Sequence, residues 1–156
     1  MDYCMTYLLD IQHASEQPCP VSDEVLLQWV ENAIKPHQAS AELTLRLVNP
    51  EEMIHLNHTY RQHNKVTNVL AFPTSLPEGI TLDVPFLGDI IICPTVLEQE
   101  SMIQEKNINA HWAHIVTHGV LHLLGYDHIT DPDTAIMQSI EISTLAILGY
   151  DNPYEI

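Results

Sequence analysis

Apolar and polar positions follow two different periods along the chain, and each change of period marks an element. Met5, Tyr7, Leu9 and Ile11 alternate with Thr6, Leu8 and Asp10, the pattern of a strand with one face more apolar. Gln17-Pro18-Cys19-Pro20 breaks it. Ser22 then stands as an N-cap, with Asp23 and Glu24 in the first turn, where the helix dipole favours acids. Val25, Leu26, Trp29, Val30, Ala33 and Ile34 recur at helical spacing until Pro36 closes the helix, and Trp29 reads as core. Leu43, Leu45 and Leu47 predict a second strand, and Asn49-Pro50-Glu51-Glu52 opens a helix carrying Met53, Leu56 and Tyr60 to near Arg61 or Gln62.

Val69-Leu70-Ala71-Phe72 is a short strand stopped by Pro73, and Thr74 to Pro85 reads as a surface loop. Leu87 to Cys93 has the near-continuous apolar run of a strand buried on both faces. Pro94 opens a helix to about Glu105, which Asn107-Ile108-Asn109 links to a further helix over about Ala110 to Leu124. On that helix His111, His114, His118 and His122 share one narrow stripe, opposite an apolar arc that includes Trp112, Val116, Val120 and Leu123. His111, furthest along the stripe, is expected to be exposed. Asp131-Pro132 caps a last helix that runs to Leu148 and stops at Gly149. Leu-Gly-Tyr-Asp occurs at 124–127 and at 148–151, which predicts two similar helix ends rather than a repeat. Interleaved strands and helices predict one domain over 1–156, α/β-like or mixed α+β, with a small central sheet covered by helices.

Composition narrows the setting. With 46% hydrophobic and 17% charged residues the chain has enough apolar material for a globular core. No apolar run approaches the ~20 residues of a membrane span, and Met1-Asp2-Tyr3-Cys4 lacks the features of a signal peptide, so a cytoplasmic location is expected. Cys4, Cys19 and Cys93 are odd in number without a C-x-x-C pair, and read as reduced thiols. The net charge of −16, from 21 acidic and five basic residues, opposes nucleic-acid binding by the surface as a whole. A polyanion would have to be met by a local cluster.

The chemistry concentrates in His118-Gly119-Val120-Leu121-His122-Leu123-Leu124-Gly125-Tyr126-Asp127-His128. Residues four apart on a helix stand one turn above each other, so His118 and His122 can aim ring nitrogens at one point about 2 Å from each. Gly125 lets the chain leave the helix through a left-handed position, and the next three residues bring His128 back to that point. Three protein ligands with a fourth position open are the plan of a catalytic zinc site. The spacing equals that of metzincin peptidases, His-Glu-x-x-His-x-x-Gly-x-x-His, but Gly119 replaces their general-base glutamate. A peptidase would need an acid from elsewhere, such as Asp127 or Glu141.

The motif closely resembles the signature of the YbeY-type endoribonucleases, the bacterial ribosomal-RNA maturation factors. Other blocks match in order: Leu56-Asn57-x-x-Tyr60-Arg61, Lys65-x-Thr67-Asn68-Val69-Leu70-x-Phe72-Pro73, Leu87-Gly88-Asp89-Ile90, Ala113-His114 and Leu148-Gly149-Tyr150. The resemblance covers most of the chain from about residue 42. It implies a mixed sheet with surrounding helices and a metal helix like that of zinc metalloproteases. It also implies one zinc ion on His118, His122 and His128, and cleavage of single-stranded RNA in 16S rRNA processing and ribosome quality control. Expected partners are therefore the 16S rRNA precursor and the ribosome or its proteins, with no DNA and no membrane. An important arginine across the cleft maps onto Arg61. Ala71 and Val66 depart from the family, which often has serine and proline there.

Arg61 suits phosphate because its planar guanidinium pairs with two oxygens and keeps its charge. Lys65, and with it Arg46, are weaker candidates for phosphate contact. His114, one turn before His118, is a candidate to bond substrate or to carry a proton as the base. Asp127 either orients a ligand imidazole or shapes the turn, and Asp89, beside a buried strand, needs a partner. His13, His37, His55, His58 and His63 have no ligand spacing and read as surface residues.

Overall fold

The computed structural model describes residues 6–61, 67–74 and 84–154, with Tyr60 and Arg61 as helix backbone only. The elements are β1 (Thr6–Ala14), α1 (Asp23–Ile34), β2 (Ser40–Val48), α2 (Pro50–Arg61), β3 (Val69–Pro73), β4 (Phe86–Ile92), α3 (Pro94–Ile103), α4 (Ile108–Leu123) and α5 (Asp131–Ile147). The sheet runs β1-β2-β4-β3. Its first three strands are parallel and β3 lies antiparallel on β4 at the edge, so the sheet is mixed as expected. A parallel β1–β2 pair needs a crossover, and α1 supplies it, capped by Ser22, whose Oγ accepts from the Val25 N–H at 3.3 Å. No helix among the described residues is long and apolar enough to cross a membrane.

Side chains alternate across the sheet, and helices cover both faces. Leu43, Leu45, Ile90 and Ile92 pack with Trp29 of α1 and with Trp112 and Val116 of α4. Leu70, Ile91 and Met53 of α2 form a smaller cluster on the opposite face. The apolar run of β4 is therefore shared between two cores, which is why it lacks alternation.

Helix α4 holds the centre and touches α1, β3, β4, α3 and α5. Its close approach to β4 depends on Gly119, where a Cβ would stand 2.9 Å from Cγ2 of the fully buried Ile90. Gly119→Ala would gain about 1 kcal/mol of helix propensity. Overpacking costs about 1–3 kcal/mol, so a net destabilisation of about 1 kcal/mol is expected. It should read as a lower urea midpoint; an unchanged or higher one would mean that α4 can slide off the sheet.

Two helix starts differ from expectation. Asn107 is the N-cap of α4 rather than a linker: its Oδ1 accepts from the N–H groups of Asn109 and Ala110 at 2.9 and 3.1 Å. Thr130, not Asp131, caps α5 by accepting from the Asp133 N–H at 3.2 Å. The loop at 74–85 lies largely outside the described residues.

Candidate metal centre

His118 and His122 stand one turn apart on α4. The helix ends in paired bonds from Gly125 N to His122 O (3.1 Å) and from Tyr126 N to Leu121 O (3.0 Å), with Gly125 at φ +103°. The same pair closes α5, through Gly149 N to Ala146 O and Tyr150 N to Leu145 O, each 3.0 Å. The Leu-Gly-Tyr-Asp repetition is thus one capping device used twice. After the first cap the chain doubles back, and Asp127 Oδ1 accepts from the His128 N–H at 2.6 Å. Asp127 therefore shapes the turn that delivers His128. Thr134 of α5, 3.2 Å from the His128 carbonyl, ties that turn to the rest of the fold.

The result is a convergence of three imidazoles. Ring centroids lie 4.6 Å apart for His118–His122, 5.6 Å for His118–His128 and 5.0 Å for His122–His128. One ligand atom from each lies within 4.8 Å of the other two, an arrangement that could hold a metal ion. The Nε2 atoms of His118 and His122 are 3.1 Å apart. Two nitrogens bound to one tetrahedral zinc at its usual bond length lie about 3.3 Å apart, so the donor set fits that ion.

The three histidines line a cleft of about 710 Å³ together with Asn57 of α2, Asn68 and residues of the edge strand β3. Ala71 lines it too, so the hydroxyl common in the resembled family is missing from the wall itself. Asp127 is the only carboxylate among the described lining residues, although the chain carries 21 acids. Asn68 Nδ2 reaches Glu100 Oε1 at 3.2 Å, and the same oxygen meets His111 Nε2 at 3.0 Å, which ties the cleft wall to α3 and α4.

The remaining candidates fall in different places. Lys65 and the side chain of Arg61 lie outside the described residues; the backbone of Arg61 is one helical turn beyond Asn57. Arg46 is held by Glu52 at 2.6 and 2.9 Å and by Gln12 at 3.1 Å, away from the cleft lining. His114 does not line the metal cleft: it borders a second cavity of about 420 Å³, with His111 and Lys106. Its Nε2 lies 2.7 Å from Glu141 Oε2 and 3.1 Å from the Tyr154 hydroxyl. His111 is buried, contrary to the expected exposure, because α3 brings Glu100 over that end of the stripe. Burial pushes its imidazole below the ordinary value against the pull of Glu100. Among the surface histidines, His13 pairs with Asp23 at 2.8 Å.

Glu141 is the residue whose place here was not legible beforehand. It is 1% exposed, on the buried stripe of α5 with Met137, Thr144 and Leu145. Burial pushes its carboxyl up, but hydrogen bonds and charge from His114 and His118 outweigh this and hold it at about 2. The Tyr154 hydroxyl donates to its other oxygen at 2.8 Å, and burial with that carboxylate raises the phenol. An acid at i+4 from Met137 on an apolar stripe was the available signal.

The comparisons with known proteins place the chain in a family. The sequence profile described as endoribonuclease YbeY matches residues 10–151. An endoribonuclease YbeY of Legionella pneumophila (strain Corby) is 55% identical over 152 residues, covering 97% of this chain and 96% of the relative. Its counterpart in Pseudomonas fluorescens is 51% identical over 146 residues, covering 94% of this chain and 95% of its own length. The solution structure of TM1509 from Thermotoga maritima aligns over 94% of this chain and 99% of its own, with a TM-score of 0.57 at 22% identity, a likeness of fold. With a matching profile from near one end to the other and half of all positions shared with named relatives, the chain belongs to the endoribonuclease YbeY family.

Proposed function

We propose that the chain is a zinc-dependent endoribonuclease that cleaves single-stranded RNA in the cytoplasm, acting on the 16S rRNA precursor near its 3′ end and in ribosome quality control. The observation that carries this reading is the convergence of His118, His122 and His128 in a cleft whose described lining holds a single carboxylate. When bound, zinc supplies Lewis-acid polarisation of a phosphoryl oxygen and acidification of water. The three imidazoles hold it as neutral donors and leave room for substrate. Asn57 and Asn68 line the same cleft as the histidines. Arg61, one turn beyond Asn57, is assigned the phosphate: its fork pairs two oxygens and offsets charge growing at phosphorus. Lys65 adds a second cation, and His114 is assigned a proton-handling role behind the ligands. A chain at −16 binds RNA weakly from a distance, so a ribosomal partner is expected to bring the substrate.

A peptidase reading has less support, because Gly119, packed closely against Ile90, stands where the peptidase glutamate would be. The test offers zinc-loaded protein a single-stranded RNA spanning the 16S 3′ region, the same RNA annealed to its complement, and casein. Cutting of the single strand alone is expected. Casein cleavage that disappears in His118→Ala would replace the reading with a peptidase.

A further inference from the structure

The metal ligands do not account for the most buried charge near them. Glu141 enters from α5 and meets the histidine cluster at the back of His118. His118 turns Nε2 towards His122, leaving Nδ1 to face the opposite way, 3.4 Å from Glu141 Oε2. An imidazole that ligates through one nitrogen carries its proton on the other, and a carboxylate there fixes both tautomer and ring direction. His114 Nε2 meets the same oxygen at 2.7 Å, and the Tyr154 hydroxyl donates to Oε1 at 2.8 Å. A pin between two helices would need the His114 contact alone. The oxygen shared with a ligand imidazole, and the tyrosine that steadies the other oxygen, go beyond it.

We propose that Glu141, steadied by His114 and Tyr154, is a positioning residue that orients His118 for metal. The inference rests on the zinc reading above. Glu141 meets the ring of His118 itself, so through that side chain α5 acts directly on one of the three imidazoles. The C-terminal segment thereby joins the metal centre, because Tyr154 lies beyond the end of α5.

The test measures zinc affinity by competition with a chromophoric chelator, beside the visible spectrum of cobalt-loaded protein. Glu141→Gln keeps the shape and removes the charge; it should weaken zinc by about 10–100-fold and alter the cobalt bands. Tyr154→Phe, at a side chain reaching the surface, should weaken zinc by a smaller factor, and it carries the test should Glu141→Gln not fold. Leu145→Ala, a core truncation on the same helix, should lower the melting temperature and leave zinc affinity unchanged. Wild-type affinity and cobalt spectrum in Glu141→Gln, or unchanged affinity in Tyr154→Phe if the former does not fold, would overturn the inference and leave the zinc site standing. Failure of the wild-type protein to bind zinc would overturn both.

Discussion

His122→Ala is expected to purify without stoichiometric zinc and to lose RNA cleavage altogether. Removing one of three ligands leaves His118 and His128 joined only by the turn after Gly125, too few donors to close a tetrahedral site. Bound metal favours the folded state by mass action, and at free zinc 100 times Kd this is worth about 2.7 kcal/mol. The wild-type protein should therefore melt higher in zinc than in chelator, whereas His122→Ala should melt alike in both, near the chelated wild type. Metal analysis with paired thermal melts checks this. Full zinc occupancy in the variant would remove His122 from the site.

Arg61→Ala should act on chemistry instead of on metal. If the guanidinium meets charge that grows in the transition state, its loss is expected to slow single-turnover cleavage by about 10²–10³-fold. Zinc content and melting temperature should stay at wild-type values. Arg61→Lys should recover only part of the rate, since an ammonium restores the charge without the fork. The net charge of −16 sharpens the expectation, because salt screens the surrounding acids beyond about 8 Å and leaves the local cation decisive. Wild-type rates in Arg61→Ala would reduce it to an ordinary helix-end residue.

What could be read from the chain, and what could not, divides along local and non-local lines. Ser22 announced its helix because an N-cap acts within three residues, and Gly125 and Gly149 announced theirs because a left-handed residue closes a helix with its own last carbonyls. The convergence of the three histidines was legible for the same reason: every spacing it needs lies within eleven residues of one helix and its exit turn. The histidine stripe was read correctly as a face and wrongly as exposed at His111. A helical period shows which positions share a side, not which element covers them, and it is α3 with Glu100 that covers His111. Glu141 was harder still, since its partners His114 and His118 lie 27 and 23 positions back in sequence and meet it only when α5 packs on α4. The strand of mixed direction posed a related problem. Nothing local to Val69–Phe72 distinguishes an antiparallel edge strand from a parallel one, and the resemblance implied a mixed sheet without saying which strand reverses.

The most direct test of the central claim is a zinc titration of chelator-stripped protein, with single-turnover cleavage of a single-stranded RNA as the readout. Activity should be absent at the start, rise linearly with added zinc and level off at one equivalent, while His118→Ala, His122→Ala and His128→Ala stay inactive throughout. Full-rate cleavage by the metal-free protein, or by any of the three variants, would contradict the account.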